Sequence, residues 1–75
     1  MEQLREILSD IRPDVDFDNE KELIDGGVLD SFDIIAIVTE LNDTFDIEIN
    51  VNDLLPENFN SIEAIWDLVT NLQNA

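Results

Sequence analysis

Leu4, Ile7, Leu8 and Ile11 recur at intervals of three and four residues, with Glu2, Arg5, Glu6 and Asp10 on the opposite side. That spacing lines one face of a helix with apolar groups. Pro13 lacks an amide hydrogen and disfavours helical geometry at Arg12, so the helix should end near Ile11 or Arg12. A longer stripe follows in Ile34, Ile37, Val38, Leu41 and Phe45, predicting a second helix that starts after an N-cap at Asp30, with Asp33 in its first turn, and ends near Phe45. On a 100° wheel, Phe32, Ala36, Thr39, Glu40 and Asp43 face outward and Ile35 lies on the shoulder. A last helix carries Ile62, Ile65, Trp66, Val69 and Leu72, with Asn60 and Glu63 as its capping pair. The spacing of Trp66 assigns it to core packing in preference to ligand stacking.

The stretch from Asp14 to Asp30 is acidic and irregular, with Val15, Phe17, Leu23, Ile24, Val28 and Leu29 available to pin it to a core. Loops of this length are uncommon in compact domains and tend to be functional. Gly26 and Gly27 permit a tight or left-handed backbone just before the second helix. Ile47, Ile49 and Val51 alternate with polar residues, but no other segment offers a pairing partner, so 47–51 is expected to be an extended loop. Asn52 to Leu55 suggest one short helical turn interrupted by Pro56, with Leu54 and Leu55 in the core or gating a cavity. No segment repeats. The expected architecture is all-α, a small bundle of three main helices plus one short helix with a long first loop.

Composition then narrows the function. At 75 residues the chain is expected to form one domain, 1–75, with a modest core. Nineteen acidic residues against three basic ones give a formal net charge of −16, which disfavours nucleic acid and anionic membranes and favours partners with basic patches. There is no cysteine and no histidine, which removes disulfides, thiolate metal sites and histidine-based catalysis. The N-terminal segment has neither a signal-peptide pattern nor a membrane span, so the expectation is a discrete cytoplasmic monomer.

The segment Gly26-Gly27-Val28-Leu29-Asp30-Ser31-Phe32-Asp33 places one serine at the first position of a helix. A phosphodiester there would lie in the favourable field of unpaired amides. Phe32 and Ile35, ringed by Asp30, Asp33, Glu40 and Asp43, have the composition of a docking surface for a basic partner with an apolar pocket.

The run L-I-D-G-G-V-L-D-S-F-D, followed later by D-L-L-P-E-N-F-N-S-I-E-A-I, resembles the acyl carrier protein family over essentially the whole chain. The resemblance implies a non-catalytic carrier in which Ser31 receives 4'-phosphopantetheine from coenzyme A through a phosphopantetheinyl transferase. A ligase or acyltransferase then loads the thiol with an acyl or aminoacyl group, for fatty-acid, polyketide or related biosynthesis. A D-alanyl or peptidyl carrier is the alternative. Phe32 stands where the family usually has leucine or methionine, and Ala36 where fatty-acid carriers often have a partner-binding glutamate; both departures point toward a specialised pathway. A thiol brought by a cofactor also fits a chain that has none of its own.

Two other classes are weaker. Asp14, Asp16, Asp18, Glu20, Glu22 and Asp25 resemble a calcium loop, but Asn19 replaces the sixth-position glycine and Asp25 the twelfth-position glutamate. The run is expected to be a solvated acidic loop that binds divalent ions weakly at most, with no metal site assigned; the different-class alternative is an acidic divalent-cation-binding or protein-interaction module. Asp30 and Asp33 as an enzyme's acid and base would need burial to separate their pKa values, which the first turn of a surface helix does not supply.

Overall fold

The computed structural model describes residues 2–74. Helix α1 spans Glu2–Ile11, α2 Ser31–Phe45, α3 Pro56–Phe59 and α4 Ile62–Gln73, with a 3₁₀ turn at Val51–Asp53 and no strand among the described residues. The all-α bundle with a long first loop is therefore as expected. α1 packs on α2, α3 on α4, and α4 touches both α1 and α2.

The core follows the helical stripes. Leu4 and Leu8 of α1, Ile37 and Leu41 of α2, and Ile62, Ile65, Leu68 and Val69 of α4 are buried, joined by Phe59 of α3. Phe45 and Trp66, both half-buried, meet edge to face with ring centroids 6.0 Å apart, an arrangement the ring quadrupoles favour. Phe17, Leu23 and Leu29 carry the long first loop into this core.

That loop is tied, and not merely solvated. Arg5 of α1 pairs with Asp18 at 2.9 Å, Arg12 with Asp14 at 3.0 Å, and Lys21 with Glu63 of α4 at 2.6 Å. The amide of Leu23 donates to the Asn60 carbonyl at 2.9 Å. Asp16 accepts from the Asn19 side chain and Asp25 from that of Asn60. Asp14, Asp16, Asp18 and Asp25 of the run that resembled a calcium loop thus engage separate partners, and no group of three or more metal-ligating residues converges among the described residues.

The second half departs from expectation in three places. The short turn expected over 52–55 is present as the 3₁₀ turn at Val51–Asp53, and Pro56 does not merely end it but opens α3 at its first turn, where the missing amide costs nothing. The N-cap of α4 is Ser61, whose Oγ accepts from the Ala64 amide at 3.1 Å. Asn60 is instead drawn away to the first loop, its Oδ1 accepting from the Ile24 and Asp25 amides at 3.0 Å each. Leu54 and Leu55 are 41% and 45% exposed and so lie outside the core. Residues 47–50 form no helix or strand and Asn50 is extended, with Ile49 buried and Val51 exposed at the start of the 3₁₀ turn. No helix among the described residues is long and apolar enough to cross a membrane.

Candidate functional site

Ser31 is exposed at the first position of α2, and the local sequence explains why the helix starts there. Asp30 is extended (φ −104°, ψ −177°), and its Oδ1 accepts from the Asp33 amide at 2.9 Å. The Asp33 carboxylate returns the contact by accepting from the Asp30 amide at 3.2 Å. This reciprocal capping box stabilises the first turn. A helix start leaves its leading amides without intrahelical carbonyls, and Asp30 takes only that of Asp33. Ser31 therefore stands exposed at an open helix start, where the helix dipole contributes partial positive charge beside the two carboxylates.

The approach to this turn depends on the glycine pair. Gly27 has φ +72°, a conformation that side chains rarely adopt. A Cβ on Gly26 would lie 2.6 Å from the Glu22 carbonyl oxygen, which accepts the Gly26 amide at 2.7 Å.

Arg12 was not singled out by any pattern, yet it organises the site. Its Nη1 donates to the Val28 carbonyl at 3.2 Å and to the Asp33 carboxylate, while Nε and Nη2 fork onto Asp14 at 3.1 and 3.0 Å. Hydrogen bonds to Asp14 first, and then to Asp33, push the Arg12 pKa further up; the same contact holds the Asp14 carboxyl below its usual range. The signal available in the sequence was the scarcity of cations: each of three basic residues in so acidic a chain has carboxylates within reach.

The expected docking residues separate into two groups. Phe32 is 80% exposed and Ile35 63%, with Asp30, Glu40 and Asp43 also exposed; together they form one outward face beside Ser31. Asp33 does not join that face: its side chain is only 15% exposed and is engaged by Arg12 and the Asp30 amide. Ile35 is more exposed than a shoulder position implies, while Ala36 is half-buried and not fully outward.

A small apolar cleft of about 90 Å³ lies near the same end of α2, lined by Ile24, Ile34, Leu54, Leu55, Pro56 and Phe59. Ile34 belongs to the turn that begins at Ser31. No polar side chain is buried among the described residues, so the fold offers no desolvated acid or base near this opening.

A family model described as a phosphopantetheine attachment site matches residues 2–69. The D-alanyl carrier protein of Streptococcus uberis is 34% identical over 62 residues, covering 83% of this chain and 78% of that protein. The D-alanyl carrier protein of Streptococcus sanguinis is 36% identical over 56 residues, 75% of this chain and 71% of that protein. No solved structure matches significantly. The exposed hydroxyl at a helix start fits a covalently held phosphodiester. Such carriers do not catalyse; they are acted on by a phosphopantetheinyl transferase and by loading ligases. By the match along nearly its whole length, the chain belongs to the phosphopantetheine-dependent carrier proteins, with 4'-phosphopantetheine as its covalent cofactor.

Proposed function

We propose that Ser31 is the attachment point of the phosphopantetheine arm and that the arm carries a D-alanyl or similarly small aminoacyl group as a thioester. The observation that carries this reading is the exposed Ser31 hydroxyl at the open start of α2, framed by the Asp30–Asp33 capping box. In the transfer, Ser31 Oγ bonds to the phosphorus that bears the pantetheine, and the bond to the nucleotide half of coenzyme A breaks. The hydroxyl proton passes to the transferase's base.

Two features support a small cargo. The relatives described above are D-alanyl carriers, and the cleft of about 90 Å³ falls below the ~300 Å³ at the lower end of small-molecule pockets. Phe32 and Ile35 would give the apolar contact to the loading enzymes, with Asp30, Glu40 and Asp43 attracting their basic patches. Asp33 would serve by holding the helix start. One domain over 1–75 and a cytoplasmic, monomeric carrier complete the proposal.

Intact mass spectrometry after incubation with coenzyme A and a promiscuous transferase should show one added phosphopantetheine, absent in Ser31→Ala. Addition to Ser31→Ala would refute the attachment point. The holo chain, given ATP and an adenylating ligase of the D-alanyl type, should then gain D-alanine through a hydroxylamine-labile bond. Efficient loading by a long-chain acyl transferase with none by the D-alanyl ligase would refute the cargo.

A further inference from the structure

We propose that Arg12 is a positioning residue for the modification of Ser31, an inference that rests on the attachment point proposed above. Its guanidinium grips the chain on both sides of the serine. On one side Nη1 takes the Val28 carbonyl at 3.2 Å, two residues before the cap; on the other it takes the Asp33 carboxylate, two residues after Ser31. The Asp33 oxygen it holds, Oδ2, is the one that accepts the Asp30 amide. Arg12 therefore secures the acceptor that closes the capping box.

The need for such a brace follows from the surroundings. Asp30 and Asp33 are two carboxylates in one turn of a chain with a net charge of −16, and repulsion would draw Asp33 toward solvent without a cation against it. The preceding Gly26-Gly27 pair makes the approach pliable, with Gly27 at φ +72°. The other edge of the guanidinium is anchored on Asp14 by Nε and Nη2, so the fork ties the end of α1, the first loop and the start of α2 into one unit. Lysine cannot reproduce this, because a single ammonium has no planar fork. A nucleophile that must approach in line reacts faster when its helix start is fixed.

The test uses the full chain, coenzyme A and a promiscuous phosphopantetheinyl transferase, well below the melting temperature of every variant. Arg12→Gln should lower kcat by roughly tenfold, short of the roughly hundredfold that a 1 Å misplacement can cost. KM for the carrier should be unchanged or lower, because removing a positive charge strengthens attraction to a basic enzyme. Arg12→Lys should recover only part of the loss. Amide exchange at Asp30 and Asp33 should quicken in Arg12→Gln, while Ile37 and Leu41 keep wild-type protection.

A purely stabilising role would lower the melting point and leave kcat alone. Wild-type kcat in folded Arg12→Gln, a loss confined to KM, or unchanged exchange at Asp33 each overturns the inference while Ser31→Ala still blocks modification. If Ser31→Ala is modified like wild type, the attachment point fails and this role for Arg12 fails with it.

Discussion

Asp25 and Asn60 exchange hydrogen bonds in both directions: the Asp25 amide donates to Asn60 Oδ1 at 3.0 Å, and Asn60 Nδ2 donates to Asp25 Oδ2 at 2.9 Å. With the Ile24 amide on the same Oδ1, one side chain fastens the first loop beside the junction of α3 and α4. Asn60→Ala is expected to cost about 1–2 kcal/mol, for two amides lose their acceptor. Asn60→Asp keeps an acceptor but sets a carboxylate against Asp25, so its deficit should shrink as pH falls. Urea denaturation at pH 7 and pH 4.5 checks both.

The two glycines should respond differently to alanine. Gly27→Ala meets no atom within 4 Å but adopts a left-handed backbone, at a cost of about 1–2 kcal/mol. Gly26→Ala brings its Cβ to 2.6 Å from a backbone oxygen, so the Glu22–Gly26 turn must shift. The expected order of urea midpoints is wild type, Gly27→Ala, then Gly26→Ala. The reverse order would show that the turn yields more readily than its geometry indicates.

Acid should act on two ion pairs. Asp14 is held below its usual range by the Arg12 hydrogen bond, and Glu63 by the Lys21 hydrogen bond. Because both pKa values are depressed in the folded chain, their stabilisation is present above the ordinary carboxylate range of about pH 4 and is lost as pH falls through the lower folded values. Acidification from pH 7 first relieves self-repulsion, so the urea midpoint should rise before it falls. In a chain carrying Asp14→Asn and Glu63→Gln, the fall below about pH 4 should be shallower.

On α2, surface and core positions should part cleanly. Phe32→Ala, at a site 80% exposed, should change stability by no more than about 0.5 kcal/mol while slowing loading of the holo chain by its ligase. Ile37→Ala, at a fully buried site, should cost about 2–5 kcal/mol. Equal loading rates for Phe32→Ala and wild type, with cognate enzymes, would remove Phe32 from the docking face.

The three long helices and the helix start at Ser31 were legible because periodicity and an N-cap are local properties. Leu68 shares that legibility, standing three after Ile65 and four before Leu72. The misassignments arose where neighbours offered two local solutions and a distant contact chose between them. Asn60 and Ser61 can each cap a helix, and the first loop claims Asn60. Proline both ends and begins helices, so Pro56 alone did not locate α3. Arg12 was hidden for a different reason: its partners at Val28 and Asp33 lie across the fold, and no short motif encodes that reach.

Arg5, Arg12 and Lys21, the only basic side chains in the sequence, each pair with a carboxylate of the first loop or bridge that loop to α4. Among the described residues, every basic side chain therefore already has a carboxylate partner. With a net charge of −16, long-range attraction would draw a basic enzyme toward the chain but would say little about which side to meet. Orientation would then be decided at short range, by exposed apolar side chains that interrupt the charge, among them Phe32 and Ile35 beside Ser31.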